Sequence, residues 1–314
     1  MLLQTDEWCL PLAVVVVAVV ACSVTTGTAA AQTSGGAPAV TLSRPASVRS
    51  AGMNGAGAAL VGNAGAVFSN PAGIATIRHV GLEGAYQTRP SDGSLAAGAL
   101  AWRLRQFDLG VGVARYRFGS DPSTHPIPGI PAGSDARELA GVGSLVYRFG
   151  IIALAGSGKY VSRTVDDSSE TAFSADAGLA IAVFDIMAIG FSMQNIGGRW
   201  GGTGGVTLPQ LTRVAMTWNY VDPLETFRLL STVEFQWPKG EEFRFVVGGE
   251  GGVVVGAVGI LVRAAYGTEA PGSIYSHMTY GGSLTVAEFA LDYAYQESDL
   301  NGQPAHRFGF RLAL

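Results

Sequence analysis

The chain has 314 residues, of which 48% are hydrophobic and only 14% charged, with 44 glycines. Twenty basic against 24 acidic residues leave a net charge of −4 with no basic stripe, which argues against a nucleic-acid partner. No internal run is long enough for a membrane helix, so the apolar residues are dispersed, as strict alternation disperses them.

Residues 1–31 read as an export signal. Leu10 to Val24 is apolar, and Ala29-Ala30-Ala31 before Gln32 is a small-residue cleavage site. The first nine residues carry Asp6 and Glu7 but no Lys or Arg, a departure that a misassigned start codon would explain. Cys9 and Cys22 both fall in the signal, so no disulfide is expected in the mature chain. Val19-Val20-Ala21-Cys22 also resembles a lipoprotein processing box, a second reading in which Cys22 carries a lipid.

Residues 32–77 are expected to form a periplasmic leader and a plug. The run from Ser50 to Ile74 is built of Gly and Ala, which let backbone pack closely on backbone or on a crowded wall. Asn70 as cap and Pro71 at a first helical position predict a short helix through Ala75. Gly52, Gly55, Gly62, Gly65, Asn70 and Pro71 are therefore the plug or gating candidates. The other reading is an ordered leader packed beneath the barrel. With no Gly-Lys-Ser/Thr, a phosphate loop is not credible.

From residue 78 to 314 the pattern predicts an all-β fold, a transmembrane antiparallel barrel of about fourteen strands. In the stretch from Phe289 to Tyr295, the residues Phe289, Leu291, Tyr293 and Tyr295 share one face, and Glu288, Asp292 and Gln296 share the other. Val233, Phe235 and Trp237 oppose Thr232, Glu234 and Gln236; Leu154 and Tyr160 oppose Ser157 and Lys159. Charges land on the parity away from the large apolar residues, as lipid contact demands: a charge on that face costs about 2–4 kcal/mol at the bilayer midplane. Arg148, Lys159, Asp176, Arg244, Arg263, Glu288 and Asp292 are the lumen-lining candidates, either along a path or in cross-strand ion pairs that hold the interior. Arg115 and Arg117 share parity with Val111 and Val113, where the third strand is expected to leave the membrane.

Long connections are expected outside the cell, at 119–136, 165–169, 197–207, 268–273 and 298–304. Tight periplasmic turns are expected at Arg105-Gln106, Phe149-Gly150, Phe184-Asp185, Gly251-Gly252 and Thr285-Val286. Aromatic residues cluster towards strand ends, as interfacial girdles require. In the last strand Phe308, Phe310, Leu312 and Leu314 face one way, opposite Arg307, Gly309 and Arg311; the four are expected to act as a barrel-assembly signal. A secreted soluble β-sandwich also alternates, but its water-facing side would carry more charge.

No constellation carries chemistry. His125 lies in a Pro-rich loop, and His79 and His306 start strands. His277 is expected to face the lumen with Ser276 on the opposite face, which separates the pair a serine nucleophile needs. No closely spaced His/Asp/Glu set suggests a metal. The expectation is a non-enzymatic protein without cofactor or metal.

Gly52-Met53-x-Gly55-Ala56 followed by Asn70-Pro71-Ala72-Gly73-Ile74-Ala75 resembles the N-terminal motif of FadL-like outer-membrane proteins, most closely the PorV/PorQ family. Lys159-Tyr160-Val161 ahead of Asp166-Asp167, the run from Ser192 to Gly197, and Asp292–Tyr295 leading to His306-Arg307-Phe308 agree. Gly62-Asn63-Ala64-Gly65 stands where that family often has an acidic pair, and Leu314 where barrels often end on an aromatic residue. The resemblance implies a location in the outer membrane of a Gram-negative cell, among outer-membrane lipids and served by the barrel-assembly machinery. It implies an accessory of type IX secretion, acting on secretion components or exported proteins. The wider FadL likeness implies instead a passive channel for hydrophobic small molecules, which bind near the plug and leave through a wall opening.

Overall fold

The computed structural model describes residues 39–89, 93–119, 130, 134–183, 186–201, 205–221, 226–268, 277–297 and 304–314. The expected signal at 1–31 with Cys22, the leader to residue 38, the turn at Phe184-Asp185, His125, Ser276 and most of the loops at 119–136, 268–273 and 298–304 lie outside the described residues.

Fourteen strands form one closed ring: β1 (Val80–Arg89), β2 (Gly93–Leu104), β3 (Phe107–Arg117), β4 (Ala136–Phe149), β5 (Ile152–Val165), β6 (Ser168–Val183) and β7 (Met187–Ile196) are its first half. The second half is β8 (Leu211–Val221), β9 (Phe227–Pro238), β10 (Arg244–Val255), β11 (Val258–Gly267), β12 (Met278–Val286), β13 (Phe289–Gln296) and β14 (Ala305–Ala313). Each strand pairs antiparallel with its sequence neighbours, and β14 closes against β1 with Phe308 opposite Tyr86 and Leu312 opposite Leu82. Closure leaves no sheet edge, which is the condition for a sheet to stand in hydrocarbon.

Period-two alternation sorts the side chains. Along β11, Val258, Ile260 and Val262 point out while Arg263 is buried; Val262 is 64% exposed and Arg263 3%. Phe308, Phe310, Leu312 and Leu314 all lie on the outward face, opposite the buried Arg307. Outward rings gather near both ends: Trp237 against Phe243, and Tyr280 against Tyr295, at one end, Phe107 against Tyr147, and Phe289 against Phe310, at the other. The barrel is of the kind found in Gram-negative outer membranes.

Two-residue turns join strands at Arg105-Gln106, Gly150-Ile151, Asp166-Asp167, Gly256-Ala257 and Ala287-Glu288. The first residue of each is left-handed, with φ between 50° and 60°, the twist that two-residue hairpins require. Three expected turns are displaced, the one at Phe149-Gly150 by a single residue, because Phe149 still pairs with Ile152. Gly251 and Gly252 sit inside β10, paired with Val262 and Leu261, because the β-branched run Val253–Val255 carries the strand on to Gly256. Thr285 and Val286 end β12 and the chain reverses at Ala287-Glu288. The connection lengths do not divide as cleanly as expected either, since β5 and β6 are joined by Asp166-Asp167 at the end that carries the long connections.

Residues 39–77 lie within the ring. They include α1 (Val40–Ser43), α2 (Val48–Gly52) and two 3-10 helices, Ala64–Phe68 and Pro71–Thr76. The second is the helix expected after Asn70, tightened to 3-10 geometry. Among the described residues no helix is long and apolar enough to cross a membrane.

Candidate functional site inside the barrel

The inward wall carries small apolar residues, hydroxyls, amides and charges. Alanines and a few valines, among them Ala99, Ala101, Val142, Val146, Ala153 and Ala180, pack against Ala66, Val67, Ala72, Ile74 and Ile77 of the inner segment. Small wall residues leave room for a folded segment. Between them stand charged side chains, each answered by another charge or by the segment's backbone.

Glu234 shows the pattern. Its Oε2 accepts the backbone N–H groups of Gly57 and Ala58, both at 2.8 Å, while Oε1 accepts from Arg213 at 3.1 Å and from Gln236 at 2.7 Å. Arg213 also donates to the Gly55 carbonyl at 2.8 Å, and Arg244 to Gln236 and to the Asn54 carbonyl, each at 2.9 Å. Glu138 accepts from Thr41 N and Oγ1 and pairs with Arg163 at 2.6 Å. Glu250 holds Arg49 of α2 at 2.9 Å and Arg263 at 2.9 Å. Arg307 donates to Gln87 at 2.8 Å and to the Pro45 carbonyl, and Arg103 donates to the Ala75 carbonyl. A buried carboxylate or guanidinium left unpaired costs several kcal/mol, so each wall charge fixes the piece of segment it faces.

The plug candidates fall at these contacts. Asn70 Nδ2 donates to Ala58 O at 2.7 Å and to Leu179 O of the wall at 3.0 Å, and Oδ1 accepts from Ala72 N at 3.1 Å. Pro71 opens the second 3-10 helix. Gly65 N donates to Glu83 Oε2 at 2.9 Å. Gly62, at φ +87°, turns the chain so that its N–H meets Gly73 O at 2.9 Å. Gly52 lies against the Arg263 stem, and Gly55 follows Asn54 in a left-handed pair.

Of the lumen candidates, Lys159 and Asp176 pair at 2.7 Å, with Asn195 bonding both. Asn195 sits where the β6–β7 register shifts between Ala175 and Ala177, so the Asp176 carboxylate caps a backbone N–H that the ladder leaves over. Arg263 and Asp292 pair at 3.3 Å, and Arg311 joins Asp292 at 2.5 Å. Arg148 is half-buried and pairs with Asp108 at 2.8 Å near the Arg105-Gln106 turn. Arg244 is bound as described above.

Two expectations need correction. Glu288 does not line the lumen: it is exposed in the Ala287-Glu288 turn, where alternation has stopped. His277 is exposed just before β12, its ring stacked on Tyr266 at 6.2 Å. Glu138, Glu250, Gln87 and Arg213 join these contacts without any motif to mark them. Their inward parity was the available signal; the wall glycines Gly178 and Gly190, against which Asn70 and the Ala58 carbonyl press, carried none.

Among the described residues two small cavities lie between segment and wall. A cavity of about 20 Å³ lies among Thr41, Leu42, Phe68, Ala140, Val142 and Lys159, and one of about 10 Å³ beside Glu83 and Ser47. Each has room for about one water.

The fold and the segment inside it together define the class: a closed fourteen-stranded outer-membrane-type barrel with residues 39–77 folded inside. No protein-family model matches the chain, and no curated protein matches its sequence. Solved structures do. A TodX deltaS2S3 mutant, titled a monoaromatic hydrocarbon channel, is similar with a TM-score of 0.55 and 10% identity, over 84% of this chain and 97% of that one. CymD, also titled a monoaromatic hydrocarbon channel, gives 0.54 and 13%, over 86% and 97%. A Pseudomonas aeruginosa FadL homologue gives 0.50 and 13%, over 84% and 96%. These are FadL-like outer-membrane barrels, and at such identities the likeness is one of fold.

Proposed function

We propose that the protein is a passive channel for hydrophobic small molecules in the outer membrane of a Gram-negative cell, with residues 39–77 as its plug. The observation that carries this reading is the segment folded inside the barrel and bonded to its wall. A segment tied to the wall through its backbone denies free passage to water and ions. Many of its buried apolar residues are alanines, each of which buries little area, set among larger ones such as Met53, Leu60, Val67 and Ile74. At about 25 cal/mol per Å² of apolar surface, shifting one turn of such a segment costs far less than extracting an interlocked core, so a hydrophobic guest can make its own room. TodX and CymD, as monoaromatic hydrocarbon channels, lend the substrate class: small aromatic hydrocarbons and molecules like them.

A secretion accessory of PorV/PorQ type is the second reading, favoured by the Gly52–Ala56 and Asn70–Ala75 motifs and by the later segments that agree with them. One experiment separates the two. Gram-negative cells lacking their own hydrophobic channel are given this protein or a form lacking residues 121–134, and uptake of radiolabelled toluene is measured. The channel reading expects several-fold faster uptake with both forms than with neither. Uptake at the background rate, together with an exported protein that co-purifies with the intact form and not with the deleted one, would replace it with the accessory.

A further inference from the structure

At the end of the barrel that carries the longest connection, residues 118–135, three arginines face outward on adjacent strands. Arg115 and Arg117 of β3 and Arg137 of β4 are all exposed, on the parity of Val111, Val113 and Leu139. Arg117 is the direct cross-strand partner of Arg137, and Arg115 stands one step below it, opposite Leu139. Register extends the rows across four strands. Ser94, Arg117, Arg137 and Thr164 form the upper row; Ala96, Arg115, Leu139 and Ser162 the next; Gly98, Val113, Gly141 and Tyr160 the third.

Like charges directly opposite each other in a sheet are destabilising. Elsewhere in this barrel arginines are answered: Arg148 by Asp108, Arg163 by Glu138, Arg213 by Glu234. Among the described residues none of the three outward arginines has an ion-pair partner, and the nearby Asp166 carboxylate accepts from Asp135 N instead. The rows change from two arginines flanked by hydroxyls, to one arginine, to apolar residues within about two residue pairs along the strand, roughly 14 Å at about 3.4 Å per residue. That gradient matches the passage from lipid headgroup to acyl chain.

We propose that this patch binds the phosphate of a phosphorylated glycolipid in the outer leaflet, with Arg117 and Arg137 as the paired donors and Arg115 beneath them. Guanidinium groups suit the task because each presents a planar fork of donors that matches phosphate oxygens. Ser94 and Thr164 flank the pair with hydroxyls, and the acyl chains continue down the wall over Val113 and Val111. A carboxylate peptide would meet the same charge but would not account for the apolar rows directly below. The long connections place this end outside the cell; the inference rests on the outer-membrane location proposed above and not on the channel reading.

The test is native mass spectrometry of the full chain in detergent, with lipid A, the same lipid dephosphorylated, and phosphatidylethanolamine as probes. The wild type is expected to retain lipid A and to retain the dephosphorylated form at least fivefold less. R115Q/R117Q/R137Q should lose lipid A to the same degree, while R115K/R117K/R137K should keep most of it. Heat-modifiable mobility on gels checks that each variant is folded, and the single variant R137Q serves if the triple one is not. Equal retention of lipid A by wild type and triple glutamine variant, with phosphatidylethanolamine bound by both, overturns the proposal. Retention of no lipid at all by the wild type would overturn it as well. Displacement of lipid A by millimolar inorganic phosphate alone would show the site to be one for free phosphate, and would also overturn it.

Discussion

Gly65 lies so close to Glu83 that a Cβ on Gly65 would come within 2.5 Å of the Glu83 Oε2 that accepts its N–H. The carboxylate is buried at the end of the Glu83 side chain on β1. A side chain at residue 65 must displace either that carboxylate or the segment, and in both cases the Gly65 N–H loses its acceptor. Gly65→Val is expected to destabilise the protein by about 1–3 kcal/mol, the range for overpacking, and to raise ion conductance in planar bilayers above that of the wild type. An unchanged conductance trace with an unchanged unfolding midpoint would show that the segment does not rely on this contact.

Glu234 is the busiest anchor, bonding Gly57, Ala58, Arg213 and Gln236. Glu234→Leu orphans two backbone N–H groups and leaves the buried Arg213 guanidinium without its counter-charge. The expected cost is about 3–5 kcal/mol, as for breaking a buried pair by removing one partner. Glu234→Gln keeps one acceptor oxygen and should cost less. Urea unfolding followed by tryptophan fluorescence ranks the two, and equal midpoints would count against Glu234 as an anchor.

Lys159 and Asp176 test whether lumen charges act as pairs. Lys159→Met leaves Asp176 buried without its cation, and Asp176→Asn leaves Lys159 without its anion. Each single change is expected to cost more than the double, with a coupling of about 0.5–3 kcal/mol in a double-mutant cycle. Additive losses would mean that Asn195 alone satisfies each group.

The outward face has its own test. Val262 is 64% exposed in the middle of β11 and Val258 is 47% exposed beside the Gly256-Ala257 turn. Val262→Arg should cost about 2–4 kcal/mol and Val258→Arg about 0–1, because a charge near the interface can reach water. Equal costs, measured by unfolding from lipid vesicles, would place the hydrocarbon band elsewhere on the wall.

Much of the wall was legible in the sequence. Alternation assigns Lys159, Asp176, Arg263 and Asp292 to the lumen, and Leu154, Val262 and Phe308 to lipid, because the strand period of two is a local property of the chain. Asn70 and Pro71 announced their 3-10 helix for the same reason. Local signals failed at chain reversals. A Gly-Gly pair at 251–252 looks like a turn but stays in the strand, and the residue before a strand, as Glu288 and His277 show, need not follow the parity of that strand.

Only the tertiary structure decided who meets whom. Alternation says that Glu83, Glu138, Glu234 and Glu250 point inward; it does not say that they meet Gly65, Thr41, the Gly57-Ala58 peptides and Arg49. Those partners lie 18 to 201 residues away in sequence. Their meeting depends on the register of every strand around the ring, and a one-residue slip in one strand turns its carboxylate outward. The direction of each side chain is set by the residue's own neighbours. What it touches is set by closure of the whole barrel around the segment that fills it.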